Sequence, residues 1–123
     1  MKIIIDTHLF LWLAAAPEKL SSKHMKIVEN LDNTLYLSSI SIAEMMIKRS
    51  IGQLDFDADI LAPVEEVGIE LLDFDAASAV LLAALPFHHR DPFDRMIIAQ
   101  SIVHGYKILT VDRKFAHYEC ALI

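Results

Sequence analysis

The run Ile3-Ile4-Ile5 closed by Asp6, and its counterpart Ile108-Leu109-Thr110-Val111 closed by Asp112, constrain this chain more than any other feature. Short aliphatic runs without polar alternation read as strands buried on both faces, the habit of parallel sheets covered by helices. The stretches between the strand-like runs carry helical spacing instead of hairpin turns. Lys2 to Ile5 is expected as a strand and Thr7 to Ala15 as a largely buried helix ended by Pro17. Ser21 or Ser22 caps a second helix through Asn30, with Met25, Val28 and Leu31 on one face. Leu35 to Ser38 is a second strand and Ser41 to Ser50 a helix stopped near Gly52. Residues 58 to 67 read as helical, Ile69 to Leu72 as extended, and Ala76 to Leu85 as helical up to Pro86. Asp91-Pro92 opens a helix that runs to about His104 and stops at Gly105. Lys107 to Val111 is the last clear strand, Asp112 caps a short helix, and Tyr118 to Leu122 adds an edge strand. Strands separated by helices imply an α/β fold with a parallel sheet.

The 123 residues fit one domain, 1–123, with no internal repeat, linker or low-complexity tract. The longest uncharged stretches, Leu9 to Pro17 and Ala76 to His89, fall short of the roughly 20 apolar residues that span a membrane. The N-terminal apolar run is cut by Asp6, which argues against a secretory signal. Cys120 is alone, so neither an intrachain disulfide nor a cysteine-based zinc cluster is available. A cytoplasmic location is the expectation. Hydrophobic residues make up 54% of the chain, above the roughly 45–50% of ordinary soluble domains, which leaves apolar surface for a partner or a second copy.

A net charge of −6 speaks against nucleic acid until its placement is considered. Eight acids and no Lys or Arg lie between Ser50 and His89, so the remaining residues hold nine acids against eleven bases. The block reads as a solvated acidic face, and the remainder is compatible with a phosphate-bearing substrate.

Asp6 and Asp112 follow strands, where an open α/β sheet places its functional crevice. Glu44 and Asp94 lie near the starts of helical stretches that the same topology brings to that edge. Four carboxylates sharing a pocket repel strongly and call for divalent cations. Oxygen donors without cysteine favour Mg²⁺ or Mn²⁺ over zinc. Each acid also has a structural role open to it. Asp6 and Asp112 are placed as helix N-caps, Ser41-Ile42-Ala43-Glu44 matches a capping box, and Asp91-Pro92-Phe93-Asp94 is a charged first turn. The residues by themselves thus yield a candidate acidic pocket.

In order along the chain, Ile-Ile-Ile-Asp6-Thr7, Ser38-Ser39-Ile40-Ser41-Ile42-Ala43-Glu44, His89-Arg90-Asp91-Pro92-Phe93-Asp94-Arg95 with Ile97-Ile98-Ala99-Gln100, and Leu109-Thr110-Val111-Asp112 resemble the PIN-domain family. The resemblance is to its small toxin nucleases (VapC-like) from bacterial and archaeal toxin–antitoxin pairs. It implies a Rossmann-like α/β/α sandwich and a Mg²⁺- or Mn²⁺-dependent endoribonuclease. Asp6 and Asp94 would be the principal metal ligands. Glu44 and Asp112 would complete the site, partly through water, and help deprotonate the attacking water. Thr110 would hold a carboxylate or a metal-bound water, and Asp91 would cap its helix or, as the second alternative, contact the ion. An antitoxin partner and a homodimer follow from the same resemblance.

Arg95 and Arg113 adjoin the acids and are candidates for holding substrate phosphate or a carboxylate. His88 and His89 lie in the loop at the entrance, while Phe10, Trp12, Met45 and Met46 read as core or dimer packing. Two other functions compete. A receiver-type signalling module would need paired acids after the first strand, an Asp ending a middle strand and a Lys ending the last, and this chain has none of these at those places. A non-catalytic metal- or RNA-binding scaffold of the same fold differs from the enzyme only in lacking turnover.

Overall fold

The computed structural model describes residues 1–56, 58–88, 90–111, 115 and 122. Its centre is a parallel sheet of β1 (Lys2–Ile5), β2 (Thr34–Ser38), β3 (Glu70–Leu72) and β4 (Lys107–Leu109), in the order β3-β2-β1-β4. Ile4 stands opposite Tyr36 on one side and Ile108 on the other, so β1 is an inner strand paired along both edges. That position explains the isoleucine run. Ile3 and Ile5 face one core with Leu9, Phe10, Leu37 and Met45, while Ile4 faces the other with Ile97, Ile98 and Ile108. Both faces of the sheet are covered by helices, as the α/β/α reading requires.

The described helices are α1 (Thr7–Ala15), α2 (Ser22–Glu29), α3 (Ser39–Ser50), α4 (Leu61–Val67), α5 (Ala76–Leu81) and α6 (Pro92–His104). The bounds of β1, α1 and α6 agree with those expected from the sequence. Gly105 ends α6 with φ of 70°, a conformation that a side chain would strain.

Elsewhere the structure departs from the sequence in instructive ways. Leu31, expected on the apolar face of α2, lies beyond the helix end and is 98% exposed, because Asn30 already closes the helix. Helix α3 begins two residues early. Its N-cap is Ser38, whose Oγ accepts from Ile40 N at 3.1 Å, so the expected capping box of Ser41 and Glu44 does not form. Helix α5 ends at Leu81, ahead of the expected Leu85. The carbonyls of Leu82, Leu85 and Pro86 turn instead to the buried guanidinium of Arg95, which donates to each of them. Strand β4 stops at Leu109, short of Val111, as Thr110 turns its hydroxyl towards Asp6. The helix expected after Asp112 lies outside the described residues, as does most of the strand at 118–122, though Leu122 makes a parallel bridge to Ile108.

A buried polar staple joins the layers just beneath the sheet edge. Ser38 Oγ donates to Gln100 Oε1 at 2.5 Å, and Gln100 Nε2 donates to Asp73 O at 3.2 Å. Ser38→Ala removes both the cap of α3 and one bond of this staple, and should cost about 1–2 kcal/mol in urea denaturation. A midpoint equal to that of the wild type would mean that neither contact stabilises the fold.

Candidate active site

Strand order reverses between β1 and β4: β2 and β3 lie on one side of β1, β4 on the other. Open α/β sheets bind ligands at such switch points, outside the carboxyl ends of the strands. Asp6 leaves β1 there, with its N–H donating to Leu109 O at 3.1 Å. Its side chain is only 3% exposed and is gripped from two directions. Oδ1 accepts from Leu9 N at 2.7 Å, capping α1, and Oδ2 accepts from the Thr110 hydroxyl across the switch point. Thr110 thus holds a carboxylate, one of the two roles expected of it.

Glu44 comes to the same place from α3. It is 2% exposed, and its contacts continue the chain of residues that begins at Asp6. Thr7 Oγ1 donates to Glu44 Oε1 at 2.8 Å and is hydrogen-bonded to Ser41 Oγ at 2.9 Å. The other carboxylate oxygen, Oε2, accepts from Lys48 Nζ at 2.8 Å, one helical turn along α3. Ser41, relieved of capping, supports this hydroxyl relay instead.

Asp91 and Asp94 approach from the start of α6. Asp91 caps that helix, its Oδ1 accepting from Phe93 N at 2.9 Å and Asp94 N at 3.3 Å. Asp94 stands half-buried in the first turn. The fields of both carboxylates reach the Lys48 ammonium. Its pKa is raised chiefly by the hydrogen bond to Glu44, against the effect of burial, with Glu44, Asp91 and Asp94 adding to the rise. Helix α6 precedes β4 in the parallel sheet and so begins at the edge where the strands end, which brings Asp91 and Asp94 there, while Thr7 ties Glu44 to the segment bearing Asp6. Among the described residues no three His, Cys, Asp or Glu side chains crowd closely enough to cage an ion by themselves. Asp112 and Arg113 lie outside the described residues.

The remaining candidates divide clearly. Arg95 is buried, its guanidinium occupied by three carbonyls and lying 4.5 Å over the Phe87 ring, so it braces the loop before α6. Phe10 and Met45 are core residues, and Trp12 and Met46 pack half-buried against them. His88 is exposed in the entrance loop, and His89 lies outside the described residues. Apart from the undescribed Asp57, the acids of the Ser50–His89 block are exposed or, at Asp75, half-buried, as a solvated face requires. Sequence reasoning missed Lys48, although Glu44 and Lys48 at i and i+4 were a readable signal. The relay of Thr7 and Ser41 had no local signal, since its members lie 34 positions apart.

Comparison with known proteins places this geometry in context. The family model for the PIN domain matches residues 3–119. Ribonuclease VapC22 of Mycobacterium tuberculosis is 26% identical over 115 residues, covering 91% of this chain and 88% of that protein. VapBC2 from Rickettsia felis, solved bound to a DNA fragment from their promoter, has a TM-score of 0.73 at 17% identity, covering 100% of this chain and 98% of that one. VapBC-5 from Mycobacterium tuberculosis, a member of the VapBC family of toxin–antitoxin systems, has a TM-score of 0.63 at 19% identity, covering 99% and 95%. At such identities the solved structures speak for the fold: an α/β chain with a central parallel sheet.

The hydroxyl relay makes its own prediction. Thr7→Val keeps the side chain's shape but removes the donor to a buried carboxylate, and should lower stability by about 1–2 kcal/mol in chemical denaturation. An unshifted midpoint would show that Lys48 alone compensates Glu44.

Proposed function

The chain belongs to the PIN-domain family, and from that membership we propose that it is a divalent-metal-dependent endoribonuclease, the toxin of a toxin–antitoxin pair. The observation that carries the reading is the arrival of Asp6, Glu44 and Asp94 at one sheet edge, where strand order reverses. The activity is supported by the relative named as a ribonuclease, and the setting by fold neighbours named as toxin–antitoxin proteins. Residues 1–123 act as one nuclease domain in the cytoplasm; among the described residues no helix is long and apolar enough to cross a membrane.

The donor set fits Mg²⁺ or Mn²⁺, being carboxylate oxygen throughout. Magnesium keeps several waters and takes one or two carboxylates plus substrate phosphate, so a tight cage of three is not required. Asp6 and Asp94 would hold it, with Glu44 and Asp112 completing the site, partly through water. Such a cation acidifies a water and draws charge from the phosphate. The chain's own residues do the rest. Leu9 N–H and the Thr110 hydroxyl fix the orientation of Asp6. Glu44 or Asp112 would take one proton of the water as its oxygen bonds to phosphorus. The P–O3′ bond breaks and O3′ takes up a proton from solvent water, leaving a 5′-phosphate and a 3′-hydroxyl. The receiver-type alternative has no support here, because the strand that should end in a phosphoacceptor ends in Ser38, which caps α3.

RNA is the substrate. A cognate antitoxin and a second copy of the chain are the partners, for which the exposed Ile47, Ile51, Val80 and Phe87 supply apolar surface.

Asparagine caps helices as well as aspartate does, so Asp6→Asn preserves α1 while removing the charge. Asp6→Asn and Asp94→Asn should each lower cleavage of single-stranded RNA in Mg²⁺ or Mn²⁺ by at least about 100-fold with little change in melting. Chelation with EDTA should silence the wild type. Equal activity in wild type and both variants would trace the cleavage to a contaminant and remove the proposal.

A further inference from the structure

We propose that Lys48 is a substrate-contact residue of this site, bridging Glu44 and a non-bridging oxygen of the scissile phosphate. The inference rests on the ribonuclease reading and deepens it. It begins from the cations among the described residues. Of the two arginines that the sequence offered as phosphate ligands, Arg113 lies outside the described residues, and Arg95 is buried with its donors on the carbonyls of Leu82, Leu85 and Pro86. Among the described residues, Lys48 is a cation that stands beside these acids. Its Nζ lies 2.8 Å from Glu44 Oε2 and feels Asp91 and Asp94.

A helical Glu–Lys pair at i and i+4 is ordinarily a surface feature of little consequence. This pair is lopsided. The Glu44 side chain is 3% exposed, whereas the Lys48 side chain is 39% exposed, so the ammonium forms the solvent-facing lid of a buried carboxylate. An ammonium carries three N–H donors, and Glu44 takes one. The others can serve a phosphate oxygen without release of Glu44. Lysine suits the task as a compact point charge on a flexible stem.

The charge balance points the same way. Asp6, Glu44, Asp94 and Asp112 bring four negative charges, and a phosphodiester adds a fifth. With one divalent ion that assembly stands at −3, and Lys48 brings it to −2. A fixed positive charge beside the phosphorus also stabilises the negative charge that spreads over the equatorial oxygens during displacement.

The test uses Lys48→Gln, which keeps a donor for Glu44 but removes the charge, and Lys48→Arg, which keeps the charge. Turnover of single-stranded RNA is measured in Mg²⁺. Binding of the same RNA is measured by fluorescence anisotropy across a salt series, each Lys48 variant combined with Asp94→Asn to suppress cleavage. Each phosphate contact to a single strand contributes about 0.7 to the slope of log affinity against log salt. Lys48→Gln should lose about that much slope and about 100-fold in kcat/KM, while Lys48→Arg should keep the slope and recover part of the rate. A purely structural brace would lower melting temperature and rate in the Gln variant yet leave the slope intact, and that result overturns the proposal. So does a Gln variant equal to wild type in rate and slope, with the ribonuclease reading left standing. A wild type that cleaves no RNA overturns that reading first, and this inference with it.

Discussion

Two carboxylates, Asp6 and Glu44, are withdrawn almost wholly from water, and the fold around them is organised by the need to compensate each one. Burying a carboxylate is costly unless its oxygens are hydrogen-bonded. Asp6 avoids this with a backbone N–H from α1 and a hydroxyl from the end of β4. Glu44 does so with a hydroxyl from α1 and an ammonium from its own helix. Each set includes one donor from a segment remote in sequence, Thr110 for Asp6 and Thr7 for Glu44, so the acids and the tertiary fold depend on each other.

The parallel sheet makes that dependence possible. Every strand in it runs the same way, so each ends at one edge, and each following helix begins there. Helix starts carry unsatisfied N–H groups and partial positive charge, which favour acids at that edge whatever the protein does. The reversal of strand order between β1 and β4 then opens a crevice among them. A chain with Ile3-Ile4-Ile5 in its central strand is thus well disposed to place acids around one cleft.

How much of this could be read from the sequence varies from element to element. Strand β1 was legible because burial on both faces demands an unbroken apolar run. Helix α6 was legible because Asp91-Pro92 and Gly105 mark its ends with residues that few other conformations want. The start of α3 was not, because Ser38 and Ser41 are equally good caps by local chemistry. The choice falls to Ser38 through the packing that commits Ser41 to Thr7. The end of α5 was hidden for the same reason, since its continuation is helix-prone but its carbonyls are claimed by Arg95. Candidate acids could be listed from the sequence. Of the supports of Glu44, the Lys48 ammonium was readable one helical turn along, whereas the Thr7 hydroxyl depends on an approach that only the fold creates.

Structural and functional explanations of an acid are often treated as rivals, and Asp6 shows why they are not. A carboxylate offers about four acceptor positions. The cap bond from Leu9 and the bond from Thr110 use two of them, one on each oxygen. These two bonds also orient the group, which a ligand for a hard cation needs, because rotation in an unrestrained carboxylate would have to be frozen on binding. Asp91 illustrates the contrasting case. Its Oδ1 accepts two N–H groups from the first turn of α6, a local cap. Asp6 and Glu44 are each held in addition from a distant element, Asp6 by Thr110 and Glu44 by Thr7, so their orientation is set by the tertiary fold.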